Sequence, residues 1–498
     1  MSFAQTLAIA RMRPADLGTL EQLASAALAA GEEQSALALI APAATRLGVA
    51  RLWQWKALLE RSLEDLEPAL ASFAQAARLA PTDAGIAQGQ AQVTFEAGLP
   101  AADLFERALG LAPSNGEVIL GLAAARMAEG RGGQAVDGLA AVLDQAPQWT
   151  QGHVQLAQLR SILGDRPAAT ALIEDGLRRS PAEAGLWEAL FAVLLKQEDF
   201  AAIGDAVGRG RGRAPDRLLL SYEAIAAAEL GHTAEADRLF NDAAASGIEL
   251  AVWQLRHLIR SGRLAAAATL VEQALGSPDA AEVWPYAALV WRCLADPRAD
   301  WLSRPELVRT LDLSAALPGL PELADRLRAI HVAKGEYLDQ SVRGGTQTDG
   351  PLFSRIDPLI RQTRAAVVAA IDDYRRRLPS RDPQHPTLSR PRDRRVRFAG
   401  SWSVRLGGGG FHASHVHPQG WISSALYVSL PQPDGKPEAG WLTLGGAPPG
   451  LGLDLPPTHR IEPRPGRLVL FPSWMWHGTN TFAAGERLTI AFDVALPA

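Results

Sequence analysis

Cysteine is almost missing from this 498-residue chain, where Cys293 stands alone. One thiol excludes an internal disulfide framework and any cysteine-based zinc cluster. Long apolar runs are missing too. No stretch approaches the roughly 18 uninterrupted apolar residues that a membrane helix needs, so no membrane partner is expected. There is no basic excess, since 49 Lys plus Arg face 54 Asp plus Glu for a net charge of −5. That balance argues against nucleic acid as a partner. The opening MSFAQTLAIARMRPADLGTLEQL has no sustained apolar core and no small-residue cleavage site, and a cytoplasmic protein is expected. Several catalytic signatures are absent. There is no HExxH and no cysteine nucleophile, and Ser401 and Ser403 in GSWS lack the second glycine of a serine elbow. The glycines at 344–345 and 407–410 are not followed by Lys-Ser/Thr, which removes a phosphate cradle. The rest of the composition, 47% apolar and 21% charged, is that of a globular protein with chain for several domains.

What the chain has in abundance is periodicity. Proline ends an Ala-rich stretch at Pro81, Pro113, Pro147, Pro181 and Pro215, in steps of 32, 34, 34 and 34 residues. A second series, Gly31, Gly98, Gly130, Gly164, Gly231 and Gly262, marks a turn inside each unit. Between the markers, apolar residues fall at helical spacing, as in Leu120, Leu122 and Ala123 followed by Ala135, Leu139 and Val142. The physical reading is a helix, a tight glycine-bearing turn and an antiparallel helix whose continuation proline blocks. A 34-residue period with this punctuation resembles the tetratricopeptide repeat, with about eight units between Pro14 and residue 295. Such units stack into a superhelix whose groove binds a peptide or protein, or else only props up a second domain. Trp53, Trp55, Trp149, Trp187, Trp253 and Trp284 are expected to pack between units rather than hold a ligand.

After about residue 300 the period stops. Residues 303–330 and 352–378 read as helices, with a Gly/Thr-rich loop from Ser341 to Gly350 between them. From Val396 onward the pattern turns to short β runs broken by Gly and Pro: VRFAGSWSVRL, WISSALYVSL, GWLTLGG, RLVLFPS and RLTIAFDVAL. These predict a sandwich, barrel or jelly roll. The expected organisation is therefore an α-solenoid over 1–300, a helical linker and start of the second domain over 301–395, and a β-rich core over 396–498. Arg375 to Arg397 holds nine arginines against two aspartates. Such a run forms a solvated face, gathers an acidic peptide or anchors the head against the solenoid.

Five of the ten histidines lie between 412 and 477. His415 and His417 form His-Val-His, so on an extended strand both rings point to one face and can reach one metal ion. His477 ends an apolar run about 60 residues on. A pair at i, i+2 with a distant third histidine supplies a facial metal site in a β barrel. Ten residues further, Arg487, Thr489 and Ala491 share one face of a strand, and Leu488, Ile490 and Phe492 share the other. The second face wants a core, so the first carries a guanidinium and a hydroxyl inward, where an anionic ligand is the natural counterpart. A carboxylate held two-pronged by Arg487 and by the Thr489 hydroxyl fits that pattern.

Here the chain resembles the iron(II)- and 2-oxoglutarate-dependent oxygenases. GGTQT, GSWSVRL, HVHPQGWISSALYVSLP, PRPGRLVLFPSWMWHGT and RLTIAFDV, over about 330–498, are similar to those of a bacterial group of such enzymes. The resemblance implies a double-stranded β-helix with Fe(II) as cofactor and 2-oxoglutarate as cosubstrate. Dioxygen would be the oxidant, and a C–H bond the target of hydroxylation. His415 and His477 would be ligands, with Arg487 and Thr489 on the far carboxylate of 2-oxoglutarate. The commonest pattern has Asp or Glu two residues after the first ligand. This chain has His417, either a third histidine ligand or a neighbour of the ligands. Three neutral imidazoles leave the site one negative charge short.

Other candidates follow by position. Tyr427 lies mid-strand, to contact the cosubstrate or to fill the core. Gln347 and Thr348 are candidate substrate or lid contacts. His412, three residues before His415, should face the opposite side of a strand, where it would touch the ligands or the substrate. His459 sits in a proline-rich loop, with a surface role expected. Two other classes remain: a non-catalytic metal-binding β-barrel on an interaction scaffold, and a zinc hydrolase needing Glu486 or Asp493 as base.

Overall fold

Alanine and leucine recur at helical spacing between the prolines, and each such stretch folds as a helix. The computed structural model describes residues 1–498 except 339, 433, 434 and 498. Among these, the α-helices run from α1 (Phe3–Met12) to α18 (Ala280–Cys293) and then α19 (Arg298–Leu302), α20 (Leu320–Ala329) and α21 (Pro358–Arg377). No helix among the described residues is long and apolar enough to cross a membrane. The first eighteen form the tetratricopeptide-type solenoid. Each proline of the ladder stops a helix, and a residue two positions later often caps the next. The Asp83 Oδ1 accepts from the Ile86 N–H at 3.0 Å, and the Asn115 Oδ1 from Glu117 and Val118. Successive helices close up where glycine meets phenylalanine: a Cβ on Gly89 or Gly121 would lie 2.3 Å from the Phe73 or Phe105 ring. Of the six tryptophans, Trp187 is fully buried, and the others are half-buried against the helical cores.

The turn row is more complete than its glycines. All six have positive φ, and Glu64, Glu198 and Ala295 take up the same left-handed conformation at φ 60°, 56° and 53°. Inserted in the series they restore a period of 31–34 residues from Gly31 to Ala295. A left-handed L residue costs on the order of 1–2 kcal/mol, and two of the three acidic or small exceptions face the second domain.

That domain is a double-stranded β-helix. Its strands are β1 (Arg309–Asp312), β2 (Val342–Gln347), β3 (Phe398–His412), β4 (Gly420–Ser429), β5 (Leu442–Leu444), β6 (His459–Ile461), β7 (Arg467–Pro472), β8 (His477–Thr479) and β9 (Arg487–Ala495). The large sheet runs β1-β7-β4-β9-β3-β2 and the small one β6-β5-β8. Two expectations are corrected here. Residues 303–330 hold β1 as well as α20, because the Arg309–Asp312 backbone completes the sheet edge beside β7. The Gly/Thr-rich stretch is not all loop, since Val342–Gln347 form β2 and pair with β3 on both sides of an irregularity between Arg343 and Gly345. Leu488, Ile490 and Phe492 bury with Ile422, Leu426, Leu468 and Leu470 against α20 and α21, which leaves the opposite face of the sheet for the site.

The head sits on the solenoid's turn row. Arg364 pairs with Glu64 at 2.6 Å, Arg395 with Asp65 at 3.1 Å and Arg397 with Glu33 at 2.5 Å. The Glu64 carboxylate also accepts from the Phe398 N–H at 3.1 Å, and Glu198 lies 3.8 Å from Arg343. Arg394, Arg395 and Arg397 thus make the downstream end of the arginine run an anchor, while Arg392 and Arg381 brace backbone carbonyls within the run. At the other end, α16 (Ala251–Arg260) and α18 share an apolar core with β5, β7, Trp474 and Trp476, and the Trp476 indole donates to Pro285 O at 3.1 Å.

Glu33 is buried, which by itself raises a carboxyl pKa, but Arg397 and Ser62 outweigh burial and hold it below the ordinary value. Its contribution is therefore present in full above the unfolded carboxylate range, and falls away as pH drops from there through the lowered folded value. Glu33→Ala should lower stability by roughly 1.5–3 kcal/mol, as for a hydrogen bond to a charged group. Arg361→Ala, at an exposed pair with Glu67, should change it by less than about 0.5 kcal/mol. Urea unfolding at pH 7 and pH 4 measures both, and the Glu33 difference should shrink at the lower pH.

Candidate metal centre

The two histidine segments meet through backbone pairing. The His415 N–H donates to His477 O at 2.9 Å and the His477 N–H to His415 O at 3.0 Å, so residues far apart in the chain lie side by side. The extended backbone keeps His417 on the same face, its N–H donating to Ser473 O at 2.9 Å. One ligand atom from each of His415, His417 and His477 lies within 4.8 Å of the others.

Each ring is fixed from behind through Nδ1. That nitrogen lies 2.8 Å from Ala413 O in His415, 3.0 Å from Met475 O in His477 and 2.9 Å from the Asp493 Oδ2 in His417. All three acceptors require an N–H on Nδ1, which leaves each Nε2 as the lone-pair nitrogen, that of His415 lying 3.2 Å from the Ser341 hydroxyl. Burial, then the neighbouring rings, pushes His415 and His477 well below the usual imidazole pKa, keeping them neutral as metal ligation demands. Three anchored imidazoles on one face suit a divalent transition ion such as Fe(II).

Arg487, Thr489 and Asp493 follow one another on the inward face of β9. Arg487 is 2% exposed, and its Nη1 donates to Gly440 O at 3.0 Å. Its Nε has no partner, and among the described residues no carboxylate pairs with it. Burial lowers its pKa, the direction expected of a guanidinium that lacks an anion. Tyr427, opposite Thr489 in the sheet register, lies under the guanidinium at 5.1 Å from ring centroid to Cζ. The three histidines, Arg487, Thr489 and Asp493 line one cleft with a cavity volume of about 40 Å³.

The remaining candidates divide. Gln347 lines the cleft with its Oε1 buried and unpartnered. Thr348 does not line it, because its hydroxyl accepts from the Ser403 N–H at 3.0 Å and ties β2 to β3. His412 is not on the opposite side: β3 ends there, the chain turns, and its ring stacks on His415 at 5.9 Å. His459 is half-buried at the start of β6, away from the cleft. Glu486 faces Arg328 and Arg405, and Asp493 is engaged by His417, so neither stands as a hydrolytic base. Three contributors went unread in the sequence. Ser341 lies 3.1 Å from His412 Nδ1 and 3.2 Å from His415 Nε2, and nothing in its local pattern signals this. Trp402 stacks on His417, and Ser423 binds Asp493. Strand alternation carried a signal for both.

The double-stranded β-helix thus brings a three-histidine face and an inward arginine into one cleft. Residues 400–493 match the family described as "Putative 2OG-Fe(II) oxygenase", and residues 100–159 match a tetratricopeptide repeat family. No curated protein matches the chain. Among solved structures it is similar to YrrB, a TPR protein with an unusual peptide-binding site, at 17% identity over 38% of this chain and 97% of that one, TM-score 0.30. MamA from Desulfovibrio magneticus RS-1 is 16% identical over 32% and 94%, TM-score 0.29. A Pseudomonas putida prolyl-4-hydroxylase is 18% identical over 41% and 100%, TM-score 0.26. At these identities and scores none of the three bears on what this chain does.

Replacing His415 or His477 with alanine should reduce bound metal after anaerobic Fe(II) loading to a few per cent of wild type. His412→Ala should leave occupancy within about twofold, since its ring is outside the converging set. Metal analysis after desalting reads all three.

Proposed function

We propose that this chain is an iron(II)- and 2-oxoglutarate-dependent hydroxylase, with His415, His417 and His477 holding the metal and Arg487 and Thr489 holding the distal carboxylate of the cosubstrate. The observation that carries this reading is the buried Arg487 guanidinium, whose Nε lacks a partner. A buried unpaired cation is costly, and a ligand carboxylate arriving two-pronged removes that cost. When bound, the iron and 2-oxoglutarate supply the oxidising power for inserting oxygen from dioxygen into a substrate C–H bond. The protein's own part is to orient the three rings, hold the carboxylate end, and present a substrate past Gln347, Trp402 and His412 at the cleft. Tyr427 supports the clamp from below. A purely structural metal site has no use for this guanidinium.

The substrate in this reading is a protein or peptide brought by the solenoid. Support comes from the path between them. Lys334 and Gly335 donate to Ile162 O, the Ser161 hydroxyl to Glu336 O, and Leu338 N–H to the Gln158 side chain. Gln340 and Ser341, next after this segment in the sequence, line the cleft. The docking of the turn row on the head favours a second role for the arm, as a brace that fixes the β-helix. The lone, free Cys293 agrees with a cytoplasmic setting.

The test is anaerobic Fe(II) plus 2-oxoglutarate, followed by the visible metal-to-ligand charge-transfer band. Wild type should show the band. Arg487→Ala should need about a hundredfold more 2-oxoglutarate, from the roughly 3 kcal/mol lost when a buried charge pair is broken. No band with metal demonstrably bound would sink the oxygenase reading.

A further inference from the structure

We infer that Asp493 and His417 act as one ligand unit, in which the carboxylate supplies, through the imidazole, the negative charge that an Asp or Glu at position 417 would place directly on the metal. The inference rests on the reading of His415, His417 and His477 as a metal site. The three rings are not anchored alike. His415 and His477 donate to neutral backbone carbonyls, and His417 alone donates to a carboxylate, at 2.9 Å. A carboxylate acceptor draws the Nδ1 proton toward itself and makes Nε2 a stronger, more negative donor.

The carboxylate is itself held in place. Asp493 is 7% exposed, and its Oδ1 accepts from the Ser423 hydroxyl at 2.5 Å, with Ser473 at 3.0 Å behind that hydroxyl. Ser423 and Asp493 are direct register partners across β4 and β9. Gly420 leaves the room, since a Cβ there would lie 2.6 Å from the Ser473 Oγ and 3.2 Å from the Asp493 Cβ. Trp402 stacks on the other side of the His417 ring at 5.7 Å and fixes its plane. Among the described residues no arginine or lysine pairs with Asp493; its one ionic neighbour is His417. A buried carboxylate without a cation is as costly as a buried guanidinium without an anion. The positive charge that answers Asp493 is the metal ion on the far side of His417.

Fe(II) affinity, measured anaerobically by chelator competition on wild type, Asp493→Asn, His417→Ala and the double variant, decides it. Asp493→Asn keeps the shape and removes the charge, and should raise the Kd about tenfold to a hundredfold. In the His417→Ala background the same change should cost nothing further, because its route to the metal is gone. Ser423→Ala, which removes a competing donor and leaves the charge, should hold the Kd at or below the wild-type value and carries the test if Asp493→Asn fails to fold, a several-fold weaker Kd then counting against the ligand unit. Equal Fe(II) affinity for Asp493→Asn and wild type, or the same penalty with and without His417, overturns the ligand unit and leaves the three-histidine site standing. Wild type that binds no Fe(II) overturns both.

Discussion

The site depends on one short piece of antiparallel pairing, the reciprocal backbone bonds between His415 and His477. Without it the His-Val-His segment and the start of β8 are two unrelated pieces of chain. With it, three imidazoles are brought to one face, and the carbonyls of Ala413 and Met475 fall where they fix the ring orientations. The pairing is local, but it forms only because the two sheets close on each other. β5 lies between β6 and β8 in the small sheet, and β4 and β9 are central in the large one. Backbone geometry, rather than any strong side-chain contact, assembles the ligands.

Strand β9 then sets the electrostatics. Its inward face carries a buried cation and a buried anion six residues apart, Arg487 and Asp493, neither with an opposite charge of ordinary strength among the described residues. On the proposed reading, Arg487 faces the anionic end of the cosubstrate and Asp493 backs a metal-binding ring, so the two buried charges are costly alone and favoured once a metal and an anionic ligand are bound. The apolar face of the same strand, Leu488 to Phe492, contributes the core that makes the cost bearable.

The solenoid is more than an appendage. Its row of left-handed turns runs along the head, and at Glu64 and Glu198 a strained non-glycine residue stands where a carboxylate meets head groups. Backbone strain is retained there because the side chain makes a contact glycine cannot. At the far end, an apolar core shared by α16, α18, β5 and β7 joins the two domains, and Arg292 of α18 donates to Gly445 O and Pro456 O beside it.

The repeat architecture was legible because proline and glycine act locally. A proline stops its own helix, and a glycine adopts positive φ wherever it stands, so the period survives as a pattern of letters. Glu64, Glu198 and Ala295 were invisible for the converse reason: their φ is imposed by neighbours rather than favoured by residue type. Strand alternation placed Arg487 and Thr489 inward and His415 with His417, since period two is a property of extended backbone alone. It failed at His412, where the strand ends, and at the Gly/Thr-rich stretch, which became β2 only because β3 offered an edge to pair with. Pairing with distant chain also made Ser341 a neighbour of two histidines and turned Asp493 toward His417. The sequence by itself determined the repeat period and the shared strand faces of His415 with His417 and of Arg487 with Thr489. The tertiary structure alone decided which of them touch, because contact between strands far apart in the chain is set by sheet closure and not by any local preference.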